Sequence, residues 1–140
     1  VVARRRPQGG PLKGGRRKPG RLWAGADCPK QSTSAQVAEA TLACLRRTVP
    51  AAVPGVAFLS GGQSPELATR HLMAMHEHGR PLPWALTFSF GRALQQPALE
   101  AWRGDVANVS AAQQALLERV ACNRTAVEVG AAFLSTPETE

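Results

Sequence analysis

Two short apolar runs, Val53 to Leu59 and Trp84 to Phe90, each stop at a glycine-containing turn and pass into a helical pattern. This repetition restricts what the chain can fold into more than any other feature. The first run ends in Ser60-Gly61-Gly62, where side chains are too small to screen the backbone N–H groups from an anion. The second ends in Gly91-Arg92. An arginine just past a strand end offers a planar donor fork for phosphate, and a glycine before it admits close backbone approach. Taken alone, Ser-Gly-Gly is equally an ordinary strand-to-helix turn.

The second run alternates sharply. Trp84, Leu86, Phe88 and Phe90 point one way, while Ala85, Thr87 and Ser89 point the other. The first run is interrupted early by Pro54-Gly55. Upstream, Val37, Thr41, Cys44, Leu45 and Val49 recur at helical steps from Ser34, with Pro50 closing the segment. Between the runs, Ser64 caps a helix with Pro65 in its first turn, where a missing N–H costs nothing. Its apolar face is Leu67, Ala68, Leu72 and Met75, and Gly79 stops it. Further helices are expected from Arg92 to Trp102 and from Val109 to about Ala121, separated by Gly104.

The chain of 140 residues is 44% apolar, enough for one domain with a core. Its net charge of +7 is unevenly spread: residues 1–30 hold nine Lys or Arg against Asp27 (+8), and residues 31–140 hold eight Arg against nine acids (−1). The basic character therefore belongs to the first segment. Residues 1–24, rich in Gly, Pro and Arg, contain too little apolar material to seed a core and are expected to be disordered. Cys28, Cys44 and Cys122 are odd in number and widely spaced, which fits buried or incidental thiols in a reduced cytoplasmic protein. No run approaches a membrane span, and no apolar signal core opens the sequence. His71, His76 and His78 lie along one helix without an acid or cysteine to complete a metal site, so they read as surface histidines. The triplets at Asn108 and Asn123 match the glycosylation pattern by chance.

The stretches Phe58-Leu59-Ser60-Gly61-Gly62-Gln63-Ser64, Pro83 to Leu94, Leu45 to Pro50 and Ala98-Leu99-Glu100-Ala101-Trp102 resemble, in order and spacing, the carboxyl-terminal part of class I fructose-bisphosphate aldolase. The resemblance runs from about Gly25 to about Ala121, leaving residues 122–140 as a diverged tail. It implies an α/β fold, part of a (β/α)8 TIM barrel limited to its last two or three βα units, because a closed barrel typically needs about 250 residues. It implies phosphate binding by Ser60, Gly61, Gly62, Ser89, Gly91 and Arg92. Counting back without a gap sets the family's LLKPNMV segment on Arg16 to Leu22, so Lys18 stands where that family's Schiff-base lysine stands. All three lysines, Lys13, Lys18 and Lys30, lie in the basic segment. The family's terminal tyrosine has no counterpart, since the chain contains no tyrosine.

The implied activity is a glycolytic aldehyde-lyase acting on a sugar phosphate, with no metal or other cofactor. The chain is expected to be a fragment or truncated copy inactive by itself, and a homotetramer if complete. Arg16-Arg17 conflicts with a buried barrel strand, since adjacent arginines would strand charge in the core. Either the segment is not that strand, or the local sequence has been altered by an alternative exon or a shifted reading frame. A different class of function also stays open: a noncatalytic interaction protein whose arm, residues 1–24, binds RNA or another polyanion in a salt-dependent way.

Overall fold

The computed structural model describes residues 16–25, 27–79 and 81–134. Its elements are β1 (Arg16–Arg17), α1 (Ser34–Thr48), β2 (Gly55–Phe58), α2 (Pro65–His76), β3 (Ala85–Phe88), α3 (Arg92–Trp102), a single 3-10 turn (Val106–Asn108) and α4 (Val109–Leu134). The strands form one parallel sheet in the order β1-β2-β3. Parallel neighbours need a crossover, which α1 supplies between β1 and β2 and α2 between β2 and β3. Val56 pairs with Arg17 on one side and Leu86 on the other, and Phe58 pairs with Phe88.

Local chemistry accounts for the helix ends. At α1, the Thr33 hydroxyl accepts from the Gln36 amide while the Gln36 side chain accepts from the Thr33 amide, a reciprocal cap. At α2, Ser64 Oγ accepts from the Leu67 amide at 3.2 Å, and Pro65 opens the first turn as expected. Gly79 follows α2 at φ 69°, a conformation that favours glycine. Trp84 Nε1 donates to the Pro50 carbonyl at 2.9 Å, tying the start of β3 to the end of α1.

The core lies on the helical side of the sheet. Val56 and Phe58 of β2 and Leu86 of β3, with Trp84 and Phe90 at its ends, pack with Leu42 and Leu45 of α1, Ala68, Leu72 and Met75 of α2, and Ala126 of α4. The alternation read in the second run holds, with Trp84, Leu86 and Phe90 buried and Ala85 exposed. On α1, the buried stripe is Val37, Ala38, Thr41, Leu42 and Leu45. Cys44 is not part of it, contrary to expectation. One helical step from Leu45 it turns outward, and Cys28, Cys44 and Cys122 are all exposed free thiols.

Three further expectations need correction. His71 is not a surface residue but 2% exposed, because its step from Ala68 and toward Met75 sets it on the core face of α2. Disorder through residue 24 does not hold from Arg16 onward. Arg16–Arg17 pairs with Gly55 and Val56, the Leu59 amide donates to the Pro19 carbonyl, and the Leu22 amide donates to Thr41 Oγ1. Two adjacent arginines do not keep this segment out of the sheet, since the ladder is made by main-chain groups whatever the side chain. Finally, α4 runs unbroken past Ala121 to Leu134, through the start of the expected tail. Residues 1–15, which hold most of the proposed polyanion-binding arm, and residues 135–140 lie outside the described residues.

Among the described residues, no helix is long and apolar enough to cross a membrane. Asn123 is fully buried and accepts a hydrogen bond from Thr69, which removes it as a glycan acceptor in the folded chain.

Candidate active site at the strand ends

The parallel sheet sets the carboxyl-terminal ends of its strands side by side. The ladder continues past the strands themselves: the Leu59 amide donates to Pro19 O at 3.1 Å, and the Ser89 amide donates to Phe58 O at 2.8 Å. Pro19, Leu59 and Ser89 are thereby held at one rim. Lys18 follows β1 directly, and extending the register by one step sets it level with Ala57 and Thr87. Paired residues of a sheet share a face, so Lys18 belongs to the face of Ala57, Thr87 and Ser89, away from the helical layer. Lys18 is exposed and Ser89 half-buried.

The first turn at the rim is built for exposed amides. Gly61 and Gly62 have φ of 60° and 82°, conformations that side chains resist, and a Cβ on either would meet nothing within 4 Å. The Gln63 amide closes the turn on Ser60 O at 3.2 Å, and Ser60 itself is buried. The second turn ends in Gly91 at the amino terminus of α3, where no side chain caps the helix. The first bonds onto Gly91 O come from the Leu94 and Gln95 amides, so the preceding first-turn amides have no backbone acceptor among the described residues. Such amides, with the positive end of the helix dipole, favour an anion. Arg92 starts α3 and is exposed, adding a guanidinium beside them.

The residues named from the sequence thus fall at one end of one sheet: Lys18, Ser60, Gly61, Gly62, Ser89, Gly91 and Arg92. Sequence reasoning missed what lies beneath them. Arg21 is only 6% exposed. Its Nη1 donates to Gln63 Oε1 at 3.2 Å, its Nη2 donates to Ala68 O at 3.0 Å, and its guanidinium lies 5.2 Å from the Phe58 ring centroid and 5.1 Å from that of Phe90. Burial lowers its pKa to about 10, which still leaves it cationic at neutral pH. His71 Nδ1 lies 3.0 Å from the same Gln63 oxygen and donates to it, because that atom can only accept. Burial, and then the charges of Arg21 and Arg70, lower the His71 pKa to about 4, so the ring is neutral. In an Arg-rich stretch, nothing local distinguishes Arg21 from a solvated cation.

A separate cleft of about 320 Å³, lined by Glu39, Leu42, Ala43, Arg46 and His78, opens near the last turn of α1 and the end of α2, opposite the rim. Its lining includes none of the rim residues.

Comparison with known proteins bears on this arrangement. A family model described as "Glycolytic: Fructose-bisphosphate aldolase class-I" matches residues 11–134. Fructose-bisphosphate aldolase B of Gallus gallus is 53% identical over 115 residues, which is 82% of this chain and 32% of that protein. Fructose-bisphosphate aldolase C of Homo sapiens is 50% identical over 117 residues, 84% of this chain and 32% of the relative. The structure of fructose-bisphosphate aldolase from Plasmodium falciparum, in complex with TRAP and a small-molecule inhibitor, superposes with a TM-score of 0.80 at 45% identity. That match covers 85% of this chain and 34% of the other. The chain therefore spans about a third of the length of the curated relatives it matches.

Proposed function

The chain belongs to the class I fructose-bisphosphate aldolase family, and from that premise we propose that it carries the family's lysine and one of its sugar-phosphate grips, on what would be barrel strands six, seven and eight. The observation that carries this reading is the shared rim. Ladder bonds donated by the Leu59 amide to Pro19 O and by the Ser89 amide to Phe58 O hold both glycine turns and the segment after Lys18 at one end of one parallel sheet.

In this reading, the amides of Gly61, Gly62 and Gly91, the hydroxyls of Ser60 and Ser89 and the guanidinium of Arg92 hold one phosphate of the sugar, a group that takes no part in bond breaking. Fixing that end leaves the carbonyl carbon of the sugar little freedom and raises its effective concentration at Lys18. The Lys18 amine adds to the carbonyl, water departs, and a protonated imine results. As fructose 1,6-bisphosphate splits, a base takes the proton of the C4 hydroxyl and the C4–O bond becomes the aldehyde carbonyl. The C3–C4 bond breaks with its electron pair drawn toward the imine at C2 to give an enamine, with no metal needed for that role. Glyceraldehyde 3-phosphate leaves first. Protonation and hydrolysis of the remaining enamine release dihydroxyacetone phosphate and restore the amine.

Lys18 is exposed in this chain, whereas an imine-forming lysine works inside a pocket that orients the sugar and excludes water. The 140 residues are accordingly inactive by themselves in this reading, and the remaining strands of a barrel would supply the walls. The substrate is a sugar phosphate, the compartment the cytoplasm and the complete assembly a homotetramer.

Borohydride reduction in the presence of dihydroxyacetone phosphate tests the lysine assignment, with peptide mass spectrometry to locate the adduct. An adduct confined to Lys18 supports it, including one formed slowly. Absence of adduct at Lys18, while an intact aldolase is trapped in parallel, restricts the chain to phosphate binding and removes the nucleophile.

A further inference from the structure

Arg21 is bonded to both ends of the Ser60-Gly61-Gly62 turn. Its Nη1 reaches the Leu59 carbonyl, just before the turn, at 3.5 Å and the Gln63 side chain, just after it, at 3.2 Å. Nη2 meanwhile holds the Ala68 carbonyl in the first part of α2 at 3.0 Å. The turn has little else to hold it: two glycines at positive φ, no side chain within 4 Å of their Cβ positions, and one closing bond from the Gln63 amide to Ser60 O. His71 completes the support by donating to the Gln63 oxygen that also accepts from Arg21, so the amide of Gln63 cannot rotate without breaking both bonds.

We propose that Arg21 is a positioning residue for phosphate: with Gln63 and His71 it sets the shape of the Ser60-Gly61-Gly62 turn and so presents that turn's amides to the anion. The role extends the phosphate reading above and rests on it. The guanidinium is well suited to the task, being planar, stacked over Phe58 and Phe90, and equipped with donors for two carbonyls and an amide at once. Where the resembled LLKPNMV segment has Met, this chain has placed a buried cation. Its charge sits behind the turn, desolvated, where it attracts an anion more strongly than a surface arginine would.

The test uses the full chain, inorganic phosphate as probe, and the amide resonances of Ser60, Gly61 and Gly62. The wild-type chain is expected to show saturable shifts at these amides. Arg21→Met is expected to keep an unfolding midpoint close to wild type, since methionine fills the slot over the two rings. It should nevertheless bind phosphate about tenfold more weakly, as loss of one charge-assisted hydrogen bond implies, and exchange the Gly61 and Gly62 amides faster. Arg21→Lys, which keeps the charge but cannot span the turn, should recover only part of the affinity. Wild-type affinity and exchange in Arg21→Met would overturn the positioning role while leaving the phosphate site intact. Should that variant fail to fold, Gln63→Leu gives the same reading, because it cuts the shorter of the two links to the turn and leaves the Leu59 and Ala68 bonds and the stacking in place. A wild-type chain whose amides ignore phosphate overturns the site and this role together.

Discussion

The backbone amide of Ser89 donates to the carbonyl of Phe58 at 2.8 Å, one residue beyond the last paired residues of β2 and β3. The ladder thus extends to the points where the chain leaves the sheet, and the two glycine turns begin from positions fixed relative to one another.

Ser89 therefore separates into two groups with different duties. Ser89→Ala keeps the amide and should change stability by less than about 0.5 kcal/mol, while weakening phosphate binding through loss of the hydroxyl. Ser89→Pro removes the donor to Phe58 and should cost about 1–3 kcal/mol. Urea denaturation and phosphate titration of the two variants distinguish these effects.

Gly62 has φ of 82° with open space at its Cβ position, so the cost of a side chain there is conformational and not steric. Gly62→Ala should lose about 1–2 kcal/mol in stability, measured by urea denaturation, without expanding the fold. Because the added strain falls on the proposed anion turn, phosphate affinity should fall in the same variant.

The His71 ring is neutral in the fold, with its pKa lowered from 6.5 to about 4 by burial and by Arg21 and Arg70. The unfolded chain takes up the proton near pH 6.5 and the folded chain does not until about pH 4. More protons are bound to the unfolded state across that window, so stability falls as pH drops through it and this contribution levels off below. His76, also lowered by burial, acts in the same direction. His71→Asn should flatten the slope between those limits, measured by urea denaturation at a series of pH values.

Thr69 donates to Asn123 Oδ1 at 2.6 Å, and Arg119 donates to both Thr69 and the Pro65 carbonyl, so a polar lock joins α4 to the start of α2. Asn123 is fully buried. Asn123→Ala should destabilise by about 1–3 kcal/mol, the cost of leaving a buried polar partner to find new bonds. For scale, Leu72→Ala in the apolar core should cost about 2–5 kcal/mol. Thermal unfolding of both variants gives the comparison.

Both strands after the basic segment, the cap of α2 and both glycine turns were legible in the sequence because each depends on neighbours in the chain. Alternation from Trp84 to Phe90 needs only the two-residue period of a strand, and Ser64-Pro65 only the open amides of a first helical turn. Proposed ligands at Ser60 to Gly62 and at Ser89 to Arg92 follow these same local signals. Arg16–Arg17 was not legible as a strand, since its place in the sheet comes from main-chain pairing with Gly55 and Val56.

By itself, the sequence determined the order of elements from α1 onward, the cap of α2 and the two glycine turns that end the strands, since these are written in periods and short-range hydrogen bonds. Only the tertiary structure decided that Arg21 is buried while Lys18 is exposed, three residues apart in the same basic stretch. The difference lies in what meets them: Arg21 reaches acceptors 42 and 47 residues away and lies over two aromatic rings, which together compensate a cation for leaving water. Charge alone cannot tell a chain which of its arginines will find such partners, because the partners are assembled only when the sheet forms.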